Sequence, residues 1–186
     1  MTLPLQLQAT LLAGLSLVVL SIAVYAVRTG VPPMPTSPRG RNRILSLIPP
    51  DCTGNILDLG CGWGTLVFPI AGRHPQNRVI GYELSPLPWF LCRIRKWITP
   101  RENLRIIRGD FWKSPCSDAA VVVCYLDPSQ MPRLEKKLSS ELRPGTLVIV
   151  NGFAFPSWKP ECIHQLSDFY CSRVYVYRVS TWKAEP

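Results

Sequence analysis

The sequence predicts an α/β fold: a doubly wound, mostly parallel sheet with an antiparallel C-terminal strand, preceded by one transmembrane helix. Three observations predict it. From Asn55 onward, short apolar strand signals alternate with helical ones, as in a parallel sheet with crossovers. The run Ile56-Leu57-Asp58-Leu59-Gly60-Cys61-Gly62-Trp63-Gly64 reads as a strand breaking into a glycine-rich turn, and Glu83 closes the strand after it. That pairing is how an open α/β sheet offers main-chain N–H groups and an acid to a nucleoside-containing cofactor. Finally, residues 1–27 contain no charged side chain, and from Leu11 to Val27 only Gly14, Ser16 and Ser21 interrupt the apolar run.

Taken in order, residues 1–28 read as a membrane anchor. Residues 3–27 as a helix would span about 37 Å, against a hydrocarbon core of about 30 Å. A cleaved signal peptide would need a basic n-region, which is missing. The basic residues follow instead, at Arg28, Arg39, Arg41 and Arg43. By the positive-inside rule they make this a single-pass protein with its C-terminal domain on the cytoplasmic side. Residues 29–50 form a connector. Pro32, Pro33, Pro35 and Pro38 keep it extended, and a short helix at 43–48 stops at Pro49-Pro50.

Residues 51–186 form the domain proper. Strands are expected at Asn55–Leu59, 78–82, 104–107, Ala119–Cys124, 146–150 and 174–179, with a weaker one at 162–166. Helices are expected at 64–71, Pro86–Ile98 and 131–142. In the second of these, Leu87, Phe90, Leu91, Ile94 and Ile98 recur at helical spacing as an apolar stripe, and Trp89 and Trp97 read as helix packing or membrane-surface contact.

Composition removes several function classes. Seven cysteines without a Cys-x-x-Cys pair, and only two histidines, indicate neither a disulfide framework nor a zinc site, so no metal is expected. A net charge of +9 suits nucleic acid, anionic lipid or an acidic protein surface. The anchor gives membrane lipids first claim on those basic residues, and nucleic acid is the disfavoured partner.

The glycine turn alone does not choose between NAD, FAD and S-adenosylmethionine. Asp58 stands two residues before Gly60-x-Gly62, where it would repel a pyrophosphate but suit the α-ammonium of a methionine moiety. Glu83 is placed to accept from both ribose hydroxyls, with Leu84 beside it. In Gly109-Asp110-Phe111 the acid can accept from the adenine amino group, and Phe111 offers an apolar face. Each acid also has a plainer reading as a helix cap. Three acids at successive strand ends favour S-adenosylmethionine, held by Asp58, Gly60, Cys61, Gly62, Glu83, Leu84, Gly109, Asp110 and Phe111.

The segment Leu57 to Val150 resembles the class I S-adenosylmethionine-dependent methyltransferases. Val31-Pro-Pro-Met-Pro-Thr-Ser-Pro, Gly81-Tyr-Glu-Leu-Ser-Pro, Asp110-Phe-Trp-Lys, Leu134-Glu-Lys-Lys-Leu and Phe153-Ala-Phe-Pro-Ser-Trp narrow the match. They resemble a small family of membrane-tethered protein-lysine methyltransferases, whose eukaryotic members modify the c-ring protein of ATP synthase or the adenine nucleotide translocase. The resemblance implies a Rossmann-like methyltransferase fold and, as acceptor, a lysine presented by a membrane protein.

Asp127-Pro128-Ser129 follows the fourth strand, where an acceptor must enter, and Asp127 or Tyr125 can orient its amine. Phe153, Phe155 and Trp158 can wall that amine, or else pack as core. Two other readings stay open: methylation of a lipid or small amphiphile, and a non-catalytic, cofactor-binding member of a membrane complex.

Overall fold

Five parallel strands form the centre of the chain. The computed structural model describes residues 4–29, 35–167 and 171–180. The strands are β1 (Asn55–Leu59), β2 (Val79–Glu83), β3 (Leu104–Arg108), β4 (Ala119–Cys124), β5 (Leu147–Asn151), β6 (Cys162–Gln165) and β7 (Arg173–Arg178). They make one seven-stranded sheet in the order β3-β2-β1-β4-β5-β7-β6. The first five strands run parallel, and β7 lies antiparallel between β5 and β6.

Side-chain alternation along the strands sorts the core into two layers. On one face Ile56, Val79, Val121, Val123 and Ile149 pack with α2 (Pro38–Leu47), α3 (Val67–Arg73) and α4 (Pro86–Ile98), through residues such as Ile44, Phe68, Ile70 and Cys92. On the other, Leu57, Leu59, Val122, Val148 and Tyr177 pack with Met131, Leu134 and Leu138 of α5 (Met131–Glu141). Each fully buried aliphatic side chain contributes roughly 1.5–3 kcal/mol. The crossovers carrying α3 and α5 therefore lie on opposite faces. Strand order reverses between β1 and β4, which opens a crevice beyond their carboxyl ends.

Three helices depart from the sequence reading. Helix α2 begins at Pro38, five residues earlier than expected. Ser37 Oγ accepts from Gly40 N–H at 3.1 Å, and Pro38 takes the first helical position. Ile44 and Ile48 are buried in the domain's own core. Helix α3 begins at Val67, because Gly64 at φ +76° keeps the preceding residues in a turn.

Helix α4 has the expected bounds but turns its stripe the other way. Pro88 and Cys92 are buried, while Phe90, Leu91, Ile94 and Ile98 are exposed. The cause lies beneath it. Cys92 Sγ donates to Gly62 O at 3.2 Å, and a Cβ placed on Gly64 would sit 3.0 Å from that sulfur. Cys92 is thus the α4 side chain seated on the glycine turn, next to the Phe68 ring, and the face opposite it points outward.

Ahead of the domain, α1 (Leu5–Thr29) contains one 21-residue stretch, Leu5–Tyr25, long and apolar enough to cross a membrane. Its described side chains are exposed except at Ser21, Ile22 and Tyr25, which are half-buried on one side of the helix. Residues 30–34 of the proline-rich connector lie outside the described residues.

Candidate active site

The crevice is a cavity of about 1180 Å³. Its floor is the glycine turn. Gly60 and Cys61 donate main-chain N–H bonds to Tyr82 O at 3.0 and 2.8 Å, fastening the turn to the end of β2. Gly62 has φ +51°, and a Cβ there would meet nothing within 4 Å, so backbone conformation alone calls for glycine. Gly81 answers to packing instead: a Cβ on it would lie 2.9 Å from Cys61 Sγ.

Glu83 ends β2 and braces this floor. Its Oε2 accepts from Gly62 N–H at 2.8 Å and its Oε1 from Ser85 N–H at 2.7 Å. Each oxygen keeps a further lone pair for a ligand hydroxyl. Asp58 is buried beside it, and its Oδ2 has no hydrogen-bond partner among the described residues. Burial, with the charge of Glu83 adding to it, raises Asp58 to about 7, while the Val67 N–H pulls weakly the other way. A carboxylate so placed is short of a cation. An α-ammonium would supply both the charge and the missing donor, so the residues present fit an amino-acid-tailed cofactor.

Asp110 and Asp127 are placed differently. Asp110 Oδ1 accepts from Trp112 N–H at 3.0 Å and caps a 3-10 turn at Phe111–Lys113. Asp127 Oδ1 accepts from Ser129 N–H at 2.9 Å and caps another at Pro128–Gln130. The Ser129 bonds hold Asp127 below the usual carboxylate range. Both residues line the cavity.

Most of the expected site residues converge. Asp58, Gly60, Cys61, Gly62, Glu83, Leu84, Asp110 and Phe111 line the cavity, and so do Tyr125, Asp127 and Phe153. Gly109 does not. Its N–H donates to Glu83 O at 3.1 Å, which ties the β3 end to β2. The aromatic stretch after β5 divides. Phe153, 40% exposed, lines the cavity, whereas Phe155 is only 4% exposed. Phe155 packs with Trp158 and Tyr177 at ring-centroid distances of 5.0 and 4.9 Å, and its N–H donates to the Tyr177 hydroxyl. Phe155 and Trp158 thus anchor the loop from behind and do not wall the cavity.

The cavity also gathers residues that the sequence reading passed over. Trp112 and Arg133 both line it, with the guanidinium 4.1 Å from the indole centroid. One lies after β3 and the other on α5, so no local spacing links them. At the far end Ser21, Ile22 and Tyr25 of α1 complete the lining. Their common signal was a polar residue and a tyrosine late in an otherwise apolar run.

Fold, glycine turn and unsatisfied carboxylate fit the class I methyltransferases, which use S-adenosylmethionine. Within that class, the chain belongs to the family of the ANTKMT methyltransferase domain, which matches residues 58–162. It is 35% identical over 157 residues to the Xenopus laevis lysine N-methyltransferase named for the c-ring protein of ATP synthase, covering 76% of this chain and 66% of the frog protein. This chain therefore spans about two thirds of that relative's length. It is 29% identical to a protein-lysine N-methyltransferase of Saccharolobus islandicus, over 82% of this chain and 96% of that one. Among solved structures, an RNA methyltransferase from Salinibacter ruber in complex with S-adenosyl-L-homocysteine superposes with a TM-score of 0.73. That match has 29% identity and covers 82% of this chain and 98% of the other.

Proposed function

We propose that this chain methylates the ε-amino group of a lysine in a membrane-associated protein. One observation carries the reading: a single cavity runs from the buried acids of β1 and β2, past Tyr125, Asp127 and Phe153, to the apolar helix α1. An acceptor reaching the cofactor half by that route enters beside a helix long enough to span a bilayer. The named activities of the frog and archaeal relatives point the same way.

Bound S-adenosylmethionine supplies a methyl group on a sulfonium, which an amine displaces in line as a neutral thioether leaves. In this assignment Asp58 holds the α-ammonium, Glu83 the ribose hydroxyls and Asp110 the adenine amino group, with Phe111 beside the base. The acceptor side must deliver a neutral amine, although lysine ordinarily titrates near 10.4. Its apolar rim, with Ile22, Leu84 and Phe153, favours the uncharged form. Asp127, held below the usual carboxylate range, suits drawing in and orienting the ammonium but is a poor store for its proton, which passes to solvent before the transfer. Tyr125 shares the orienting task.

The same proposal places residues 1–28 across the membrane once, with 29–50 as connector and 51–186 on the cytoplasmic side. Exposed Arg39 and Arg43 on α2 support that orientation. The decisive experiment incubates the full chain and its native membranes with methyl-labelled S-adenosylmethionine. Label on a lysine of a membrane protein is the expected result. Label that extracts with lipid, or that appears on naked RNA, would overturn the acceptor assignment.

A further inference from the structure

Helix α4 turns five large apolar side chains away from the core, although Trp89 packs against it. Trp97 is 83% exposed, Ile98 66% and Phe90 54%, with Leu91 and Ile94 beside them. At helical spacing these five fall within about 120° of arc, opposite the buried Pro88 and Cys92. A helix on a water-facing domain surface would put polar residues there. Arg93 and Arg95 flank the stripe, and Arg101, Arg105 and Arg108 continue the basic surface beyond it, all exposed. Glu102 is the one acid in the sequence between residues 86 and 108.

Two further observations choose the occupant. Helix α1 packs against α4, so the stripe is continuous with the apolar segment long enough to cross a membrane. Leu84, Ser85, Leu87 and Pro88, at the start of α4, line the active-site cavity. An apolar stripe with a tryptophan at its end and arginines along its borders suits the boundary between acyl chains and anionic headgroups.

We propose that the outward stripe of α4 lies in the interfacial plane of an anionic bilayer, beside α1, so that the cavity opens at headgroup level. The bilayer contact is then a second one, parallel to the surface, and it fixes how the domain stands on its anchor. It accounts for the inverted face of α4: the large side chains on its outer side have an apolar environment of their own. The proposal rests on α1 as a membrane segment but not on the identity of the acceptor.

The test uses the full chain reconstituted in vesicles of phosphatidylcholine and phosphatidylglycerol. Trp97 emission is isolated as the difference between wild type and Trp97→Phe. The expected result is strong loss of that emission with acyl-chain-brominated lipid and little loss with aqueous iodide. Replacing Arg93, Arg101 and Arg105 together by Gln should reverse that preference. Iodide quenching of Trp97 in protein that still floats with the vesicles would overturn the proposal while leaving the anchor intact. Protection of Trp97 only in a dimer, or only when an acceptor protein is present, would overturn it in favour of that occupant. Failure of the chain to float would overturn the anchor reading, and this proposal with it.

Discussion

The two sides of the cavity are built by different means. On the β1–β2 side main-chain groups do the work: Gly60, Cys61 and Gly62 are fastened by hydrogen bonds to Tyr82 O and the Glu83 carboxylate. The acid there, Asp58, is buried, raised to about 7 and left with an unpartnered oxygen. On the β4–β5 side side chains meet across sequence distance. Its acid, Asp127, is half-exposed, lowered and already capping a turn. Gly152, at φ +94°, lets the Tyr125 ring approach so closely that a Cβ would sit 2.9 Å from it. The contrast teaches that one side is prepared for a fixed ligand, whereas the other is open and, on the proposed function, is where the acceptor lysine enters.

The comparison breaks most sharply at Asp58. Asp58→Asn should lower cofactor affinity by about a hundredfold or more, measured by calorimetry, because a desolvated charge pair is lost. The same change should raise thermal stability at pH 8. Sign follows from the raised pKa: the folded state holds the Asp58 proton more tightly than the unfolded one. Its favourable contribution is complete below the unfolded value near 3.8 and is lost as pH rises through about 7. The gain from Asp58→Asn should therefore shrink on acidification and vanish near pH 4. In the wild type, affinity for the cofactor's ammonium should weaken about tenfold per unit as pH falls below about 7. A flat affinity profile would rule out this pairing.

Next in size is the aromatic pair after β5. Phe155→Ala should cost about 3–5 kcal/mol of stability in denaturant melts. Phe153→Ala should leave the melt within about 0.5 kcal/mol and raise KM for the acceptor. Equal losses of stability would show that Phe153 is core as well. Glu83→Gln should weaken cofactor binding by roughly 1.5–3 kcal/mol in calorimetry, since the Gly62 N–H loses a charged acceptor. The smallest effect is expected at Asp127→Asn: kcat/KM lower by about tenfold, with cofactor affinity unchanged. A matching loss of cofactor affinity would erase the division between the two sides.

The β1–β2 side was legible in the sequence because its chemistry is local. A strand, three glycines and an acid at the next strand end are all read from spacing, and the bounds of β1, β4 and α4 follow from apolar runs. The facing of α4 was not legible. Periodicity finds a stripe but does not say which side meets the core, and here it is the Cys92 side that sits on the glycine turn. The start of α2 is written in Ser37-Pro38, a cap followed by a first-turn proline, although the surrounding prolines also suit an extended connector. The acceptor side could be read only in part. Tyr125, Asp127 and Phe153 follow strand ends, whereas Trp112, Arg133 and the α1 residues arrive through tertiary packing. Phe155 and Trp158 look the same as Phe153 in sequence and differ only by the side of the loop they occupy.

Asp58's unpartnered oxygen has one further consequence. On the proposed assignment, Asp58, Glu83 and Asp110 grip the amino-acid tail, the ribose and the adenine, none of which changes when the methyl group leaves. The spent thioether would therefore be held nearly as firmly as the fresh sulfonium, because such uniform binding does not distinguish the two. Product inhibition is then built into the site, and steady turnover depends on how quickly the surroundings clear the demethylated cofactor.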